Sequence, residues 1–291
     1  MIDIKKLTDD FLGLGGYIDV PNSKKLTGGK SINILKYSGL VSVVNRRSSK
    51  KIAAEWSKNF GKNKNYNSRL PAVVARQTYT AETIQSKLNL KNKSLVDLGA
   101  GEGNFLEILK AKKIFRNLLG VEPSGKNCKK MKKQGIKSFK GTIEDFSLRK
   151  SKKFDAATLL WTLCNCSHPI NIIKSASKIL RKNGYIIVAE GSRILVPYKK
   201  PIQMYFGRKQ APDMHPFHFS KNSLINLLAL NKFKIVYINR YIDSEYLLVI
   251  AKKTNIIQKK YIKLDNYKIV KKFFENWYKH SLNYKKEIVP N

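Results

Sequence analysis

From about residue 94 onward the chain alternates short apolar runs with amphipathic segments. Short apolar runs bounded by turn residues predict strands, and apolar positions three and four residues apart predict helices. The predicted strands are 94–98, 117–121, 136–139, 155–160 and 184–190. The predicted helices between them are 104–112, 125–134 and 170–181. Strands that alternate with helices at this spacing predict a parallel sheet covered by helices on both faces.

Two further strands are predicted at the end of this core. A helix at 221–231 precedes strands at 234–241 and 245–252, and the link 242–244 between these strands is short. So short a connection permits only a hairpin. The sequence therefore predicts an α/β fold with a doubly wound, mostly parallel seven-stranded sheet that ends in an antiparallel C-terminal hairpin.

The segments that flank this core have other patterns. Residues 1–30 contain several turn formers and look loosely ordered, and an apolar run follows at 32–44. N-terminal helices are predicted at 51–60 and 72–88, with a polar loop between them. The tail is basic and has apolar residues at helical spacing, so we expect a helix that docks onto the domain rather than onto a membrane. The predicted segments are an N-terminal extension with cap helices (1–89), the core domain (90–252, with an insertion at about 191–219) and a basic C-terminal helical tail (253–291).

The turn after the first core strand carries the strongest chemical signal. Residues 95–106 read LVDLGAGEGNFL, a strand followed by an acidic residue, three glycines and the start of a helix. Glycines let a ligand approach the backbone closely, and the helix that follows points unpaired N–H groups into the turn. Glu122 lies about twenty residues further on, where nucleotide-binding βαβ units place a ribose-binding carboxylate. This pattern predicts a cofactor that contains adenosine.

The glycine spacing separates two kinds of cofactor. A dinucleotide fingerprint reads G-x-G-x-x-G, and Asn104 stands at its third glycine position. The chain instead reads Asp-x-Gly-x-Gly-x-Gly over 97–103, which resembles motif I of the class I S-adenosylmethionine-dependent methyltransferases. Four later segments resemble further motifs of that family, in order and at similar spacing: 122–123, 141–146, 154–160 and 180–188. The ordered set favours a methyltransferase over a nicotinamide-binding protein.

The resemblance implies a Rossmann-like enzyme with S-adenosyl-L-methionine as cosubstrate. The acidic end of the first strand and its glycines would shape the methionine and ribose pocket, and the acid after the second strand would hold the ribose. The loop after the third strand would flank the adenine, and the end of the fourth strand would form the floor. The residues expected at the cofactor are Asp97, Gly99, Gly101, Gly103, Glu122, Thr142, Ile143 and Leu160.

The residues after the fourth strand depart from the patterns of the family. Methyltransferases of base amines typically carry Asn/Asp-Pro-Pro-aromatic there, and many small-molecule members carry Glu-His where Cys164-Asn165 stand here. No catalytic base can therefore be carried over to this position. Trp161 is placed either to cover the adenosine or to pack in the core.

The insertion supplies the candidate catalytic residue. The string HPFHFS at 215–220, with Leu224, resembles the start of the last helix in methyltransferases of sugar and surface-polysaccharide pathways. This implies His215 near the acceptor, as a base or a substrate ligand, whereas a role in ordering the loop is the structural alternative. Asp213 and His218 could join it at a metal ion, but the sequence offers no further ligands and we predict no metal site. Upstream, Arg69 either reaches an anionic group of cofactor or substrate or is simply exposed.

Composition bears on partners. The net charge is +37 over 291 residues, which usually indicates a polyanionic partner. However, forty-seven of the 57 basic residues are lysine and only ten are arginine, the pattern of an A/T-rich genome, whereas nucleic-acid binding often uses arginine. Three cysteines are too few for a disulfide framework or a structural zinc site. No apolar run is long enough to span a membrane and no secretion signal is apparent, so we expect a cytoplasmic enzyme.

These observations predict an enzyme that methylates a small molecule, most specifically a sugar or a sugar nucleotide of surface glycan biosynthesis. The acceptor would then be a small molecule, possibly anionic, and nucleic acid is the less favoured partner. The alternatives are an RNA methyltransferase, which the net charge motivates, and a non-catalytic S-adenosylmethionine-binding subunit, which the missing Glu-His permits. The acceptor atom and the oligomeric state stay open.

Overall fold

The computed structural model describes residues 2–26, 31–43, 48–59, 70–149, 153–191, 194–196, 202, 215–240 and 246–288. Arg69, Asp213 and the predicted link 242–244 lie outside the described residues. In the part of the chain that is described, no helix combines the length and the apolar character needed to cross a bilayer.

The described strands, in chain order, are β1 (Tyr17–Asp19), β2 (Ile32–Leu35), β3 (Val41–Val43), β4 (Ser94–Leu98), β5 (Asn117–Glu122), β6 (Lys137–Lys140), β7 (Phe154–Leu160), β8 (Leu180–Glu190), β9 (Phe217–His218), β10 (Phe233–Ile238) and β11 (Leu247–Lys253). The described α-helices are α1 (Ile4–Leu12), α2 (Ser23–Leu26), α3 (Ser49–Asn59), α4 (Pro71–Lys87), α5 (Asn104–Ala111), α6 (Gly125–Lys133), α7 (Ile143–Leu148), α8 (Pro169–Ile179), α9 (Lys221–Leu230) and α10 (Tyr267–Ile288). Two short 3₁₀ turns lie at Leu163–Asn165 and Lys259–Tyr261.

Seven strands form the central sheet in the order β10-β11-β8-β7-β4-β5-β6. The five strands from β8 to β6 are parallel, and β11 and β10 close the sheet antiparallel. The prediction of a mostly parallel seven-stranded sheet with an antiparallel C-terminal hairpin is therefore confirmed. Alternate residues of β4 enter different hydrophobic clusters, with Val96 and Leu98 in one and Leu95 in the other. Because each face of the sheet has its own core, helices cover it on both sides.

A second, four-stranded sheet was not predicted. Its order is β1-β2-β3-β9, so the insertion contributes β9 to a sheet that the N-terminal segment builds. Residues expected to be loosely ordered thus contain α1 and β1, which corrects that prediction. The predicted C-terminal helix is present as α10. Its residues Val270, Phe274 and Trp277 are buried in a hydrophobic cluster that also contains residues of this sheet. The division of the chain at 89/90 and 252/253 stays a prediction.

Candidate active site

A cavity of about 470 Å³ lies at the carboxyl ends of β4, β5 and β7. Ligands of open α/β sheets bind at this edge because the loops after the strands meet there. The predicted residues Asp97, Gly99, Gly101 and Glu122 form one part of the wall. Thr142, Ile143, Leu160 and His215 also line the cavity. The structure thus brings together eight of the predicted site residues, whose roles remain predictions.

Gly103 is the predicted site residue that does not line this cavity. It precedes α5 with a left-handed backbone (φ +86°), and a Cβ there would lie 2.5 Å from Met131 Cγ. Gly99 also has a left-handed backbone (φ +85°), and a Cβ there would lie 2.7 Å from Thr162 Oγ1. Both positions therefore require glycine. At Gly99 the requirement comes from the cavity edge, and at Gly103 from packing of α5 against α6.

Glu122 connects the end of β5 to the glycine turn. Its Oε2 accepts a hydrogen bond from Gly101 N–H (3.0 Å), and its Oε1 accepts one from Ser124 N–H (3.0 Å). Burial raises the pKa of the carboxyl, and these hydrogen bonds oppose the rise. A carboxylate held in this way has a fixed orientation at the cavity wall and retains lone pairs that can accept bonds from hydroxyl groups.

Asp97 lies one strand away and is also buried. Thr158 Oγ1 donates a hydrogen bond to Asp97 Oδ1 (2.7 Å), which links the ends of β4 and β7. Burial raises the pKa of Asp97 to about 7, the Thr158 bond opposes the rise and the charge of Glu122 adds to it. Two carboxyl groups in one wall favour a cationic ligand.

The predicted adenine loop continues into α7, a helix that the sequence did not reveal. Thr142 caps this helix reciprocally: its Oγ1 accepts from Asp145 N–H (3.1 Å), and its own N–H donates to Asp145 Oδ2 (3.3 Å). This capping box fixes the loop that presents Ile143, an apolar residue, to the cavity. The wall here is therefore both rigid and apolar.

Three further polar side chains line the cavity and were missed by sequence reasoning. Both polar atoms of the Asn104 amide and Oε1 of Gln77 are buried without a hydrogen-bond partner. No carboxylate among the described residues pairs with the guanidinium of Arg76, which lines the same cavity. Buried polar groups without partners are rare in folded proteins, so the two amides mark this part of the lining as unusual. Arg76 and Gln77 fall inside a helical pattern that does not distinguish them, whereas Asn104 was visible only as a missing glycine.

These walls fit S-adenosylmethionine group by group. The guanidinium of Arg76, which pairs with no carboxylate among the described residues, suits a carboxylate group, and Glu122 suits a ribose diol. The apolar Ile143 suits an adenine edge. The residues present therefore match the chemistry of the cofactor that the sequence implied.

On another side of the cavity His215 meets Asn165. Asn165 Nδ2 donates to the carbonyl of Trp161 (2.8 Å), so its Oδ1 is the atom that faces His215 Nδ1 (2.7 Å). An amide oxygen only accepts hydrogen bonds, so His215 must carry its proton on Nδ1. In the neutral ring Nε2 is then the basic nitrogen. Asn165 stands where many small-molecule methyltransferases carry a histidine. Here it orients His215, which comes from the insertion.

The second sheet places His215 at the cavity. Val43 N–H donates to the carbonyl of Pro216 (2.9 Å), and His218 pairs with Val41 in the ladder of β3 and β9. Because His215 directly precedes this ladder, the N-terminal segment fixes its backbone. His218 is buried, and Asp213 lies outside the described residues, so the possible metal site of Asp213, His215 and His218 stays untested. Across the described residues, no group of three His, Cys, Asp or Glu side chains could hold a metal ion.

Trp161 has a left-handed backbone (φ +52°), uncommon for a residue other than glycine. Its N–H donates to the carbonyl of Ala189 (2.7 Å), and its ring lies 5.6 Å from that of Tyr246. Residues held in such conformations cluster at functional sites. The packing thus keeps the indole at the cavity wall, beside Leu160.

Helices α3 and α4 cover the cavity. Ser49, the first residue of α3, donates through Oγ to Glu144 Oε1 (3.0 Å), and its Oγ lies 2.6 Å from Ser167 Oγ. Ile52 and Ala53 of the same helix also line the cavity. The start of this helix therefore contacts both α7 and the segment after β7.

Similar solved structures share this fold. The 1,6-didemethyltoxoflavin-N1-methyltransferase of Burkholderia thailandensis is 15% identical, with 78% of this chain and 96% of that chain covered and a TM-score of 0.56. The N-methyltransferase NodS of Bradyrhizobium japonicum, in complex with S-adenosyl-L-homocysteine, is 12% identical, with 70% and 99% covered and a TM-score of 0.53. At these identities the likeness establishes the fold alone.

The sequence itself supports a family assignment. No curated protein sequence matches the chain. The profile of the methyltransferase domain family, however, matches residues 66–238, more than half of the chain. The matched range includes the glycine turn, Glu122 and His215. The chain therefore belongs to the methyltransferase domain family and is an enzyme that uses S-adenosylmethionine as its methyl donor.

Proposed function

We propose that this enzyme methylates a small molecule in the cytoplasm, most specifically a sugar or sugar nucleotide used in surface glycan biosynthesis. One observation carries the proposal: a single cavity has a wall suited to the cofactor and, elsewhere in the same lining, an oriented histidine and the indole of Trp161. Proximity of this kind is the main requirement for methyl transfer, because the transferred group is already activated.

The cofactor contacts we propose follow from the walls. Glu122 would bind the ribose hydroxyls, Ile143 and Thr142 the adenine edge, and Arg76 the methionine carboxylate. When bound, S-adenosylmethionine supplies an electrophilic methyl group on a sulfonium. Gly99 and Gly101 let the backbone approach the ligand, while Asp97 and Glu122 place negative charge near it.

His215 is the base we propose for the acceptor. With Nδ1 protonated and hydrogen-bonded to Asn165, the Nε2 atom can receive the proton of an attacking hydroxyl. Such a base contributes a factor of roughly 10² to 10⁴ to the rate. The acceptor would lie between His215 and the cofactor, against the ring of Trp161, which offers an apolar plane to the face of a sugar ring.

The cavity favours a small acceptor over RNA. Among the described residues in its lining, Arg76 is the sole lysine or arginine, while Asp97, Glu102, Glu122 and Glu144 are acidic. A site that leads a nucleic acid to the cofactor would place cations along its path. The resemblance of 215–220 to enzymes of sugar and polysaccharide pathways supports the narrower choice of a sugar.

Calorimetric titration with S-adenosylhomocysteine tests the cofactor half of the proposal. We expect Glu122→Ala to weaken binding by about 10- to 100-fold, because a hydrogen bond to a charged group contributes roughly 1.5–3 kcal/mol. Glu82→Ala is the matched control, since Glu82 is an exposed glutamate that pairs with Lys112. Equal affinity of the Glu122 variant and the unmodified enzyme would contradict the proposed ribose contact.

A methyl-release assay tests the acceptor half. The enzyme is incubated with S-adenosylmethionine and, separately, with sugar nucleotides, free sugars and unmethylated RNA. We expect turnover with a sugar or sugar nucleotide and a loss of about 10²-fold or more in His215→Gln. Turnover with RNA alone would establish the second candidate. Tight cofactor binding without turnover on any acceptor would favour a non-catalytic subunit.

A further inference from the structure

Glu190 is a buried carboxyl group that the proposed cofactor and acceptor contacts do not use. It is the last residue of β8, is fully buried and does not line the cavity. Its Oε1 accepts a hydrogen bond from Leu163 N–H (2.7 Å). A buried carboxyl is costly unless hydrogen bonds compensate it, so its partner is informative. That partner is the first residue of the 3₁₀ turn Leu163–Asn165.

The turn carries the residue that orients His215. Asn165, at its end, donates to the carbonyl of Trp161 (2.8 Å) and accepts from His215 Nδ1 (2.7 Å). A displaced turn would therefore move Asn165 Oδ1, the oxygen that holds the imidazole of His215. Second-shell hydrogen bonds of this kind fix the tautomer of a functional histidine.

Two consecutive residues of β8 hold the segment that leads into the turn. The carbonyl of Ala189 accepts from Trp161 N–H (2.7 Å), and the carboxyl of Glu190 accepts from Leu163 N–H. The first contact fixes the left-handed residue before the turn, and the second fixes the start of the turn. The segment from 161 to 165 is thus anchored to the neighbouring strand at two points.

We propose that Glu190 is a positioning residue for His215: it anchors the 163–165 turn, and the turn presents Asn165 to His215 Nδ1. The inference deepens the proposed function and rests on His215 acting at the acceptor. Glu190 acts through two intervening residues and contacts neither cofactor nor acceptor. A carboxylate is required only as a hydrogen-bond acceptor, so glutamine should replace it.

Nitrogen NMR of the histidines tests this proposal without knowledge of the acceptor. The chain has four histidines, so His215 can be assigned with the His215→Gln variant. Spectra are recorded on the full chain at a pH where the imidazole is neutral, in the presence of S-adenosylhomocysteine. We expect the unmodified enzyme to show a protonated Nδ1 and an unprotonated Nε2 at His215. Glu190→Ala should lose this signature, and Glu190→Gln should keep it.

Two further variants make the result specific. Asn165→Ala should produce the same loss as Glu190→Ala, and the double variant should show no further change, because both act on one path. Asp155→Ala is the control, since Asp155 also accepts a backbone N–H (Ser94, 2.9 Å) but stands near the amino end of β7. If Glu190→Ala does not fold, Glu190→Asp withdraws the carboxyl by one methylene and should give the same loss.

Several outcomes would overturn the proposal. An Nε2-protonated His215 in the unmodified enzyme contradicts it at once. A Glu190→Ala or Glu190→Asp variant that binds S-adenosylhomocysteine and retains the Nδ1–H signature contradicts it as well. Failure of the proposed function has a different appearance. If the proposed function is wrong, S-adenosylhomocysteine would not bind the unmodified enzyme, or His215→Gln would not change turnover. Either result is independent of the tautomer of His215.

Discussion

Asp97 and Glu190 are buried carboxyl residues at the carboxyl ends of strands in the same sheet. Burial raises the pKa of each to about 7, although both accept hydrogen bonds from neighbouring elements. Such groups are retained where their hydrogen bonds position other residues, despite the cost of an ionised form in the interior. At neutral pH each is near the point where it gains or loses its proton.

These raised pKa values predict how stability depends on pH. A carboxyl whose pKa is higher in the folded state binds its proton more tightly there, so its contribution is complete below about pH 4 and is lost as the pH rises through about 7. The free energy of unfolding, measured with urea, should therefore fall between about pH 4 and about pH 7. Each pKa unit corresponds to about 1.4 kcal/mol.

Isosteric variants isolate the two contributions. Asp97→Asn and Glu190→Gln keep an acceptor oxygen for Thr158 and Leu163 but cannot ionise, so each should flatten the pH dependence. The exposed Glu82→Gln is the control and should leave the slope unchanged. If both buried variants keep the pH slope of the unmodified enzyme, other groups must cause that slope.

Arg76 provides a second prediction at the residue scale. If the Arg76 guanidinium binds the methionine carboxylate, Arg76→Ala should weaken the binding of S-adenosylhomocysteine by about tenfold or more, because a charge-assisted bond is lost. The same variant should bind 5′-methylthioadenosine, which lacks the amino acid group, as tightly as the unmodified enzyme. Calorimetry with both ligands checks this, and an equal loss for both would assign Arg76 to another role.

At the scale of elements, the core could be predicted because its information is local. Most strands from β4 to β8 contain an apolar run beside a predicted helix, and motif residues occupy the turns between them; β6 (KSFK) and the helix α7 that follows it are the weakest part of the pattern. The second sheet could not be predicted in this way, because its strands are short and β3 pairs with β9, so that Val41 lies opposite His218. Nothing in a local pattern indicates a partner so distant in sequence.

The candidate site likewise contains residues that local sequence predicts and residues that only tertiary packing brings there. The cofactor wall follows the strand ends, and the sequence located all but one of its predicted residues in the cavity. Gly103 does not line the cavity, because glycine is required there by the close approach of Met131 on α6 rather than by a ligand. Arg76, Gln77 and Asn165 were not found, because each acquires its place from tertiary packing of α4 or of the 3₁₀ turn.

Packing of α10 on the second sheet predicts a stability effect. Trp277 is 1% exposed in the cluster that contains Val270 and Phe274, so Trp277→Ala should lower the free energy of unfolding by about 3–5 kcal/mol. Ile269→Ala is the matched control on the same helix, because Ile269 is 59% exposed. Urea unfolding of both variants measures the difference. A Trp277→Ala variant as stable as the control would mean that the helix does not contribute to the core.

At the scale of the whole molecule, one concentration of the described cations lies away from the cavity. A groove at the amino ends of the strands is lined by six of them, namely Lys110, Lys113, Arg116, Lys137, Lys153 and Arg181. The lining of the cavity, at the opposite edge of the sheet, has Arg76 alone among the described lysines and arginines. Among the described lysines and arginines, those of the groove therefore do not lead to the place where methyl transfer is proposed.

This separation predicts how the protein responds to polyanions. A single-stranded oligonucleotide should bind at low salt and be released as salt rises, because the attraction comes from counterion release. It should not compete with S-adenosylhomocysteine, since the two occupy opposite edges of the sheet. The triple variant Lys113→Ala/Arg116→Ala/Lys137→Ala should lower the salt slope by about 2, from the single-strand value of roughly 0.7 per phosphate contact. Fluorescence anisotropy against salt, with and without S-adenosylhomocysteine, measures both effects. Displacement of S-adenosylhomocysteine by the oligonucleotide would place RNA at the cavity and reverse the choice of a small acceptor.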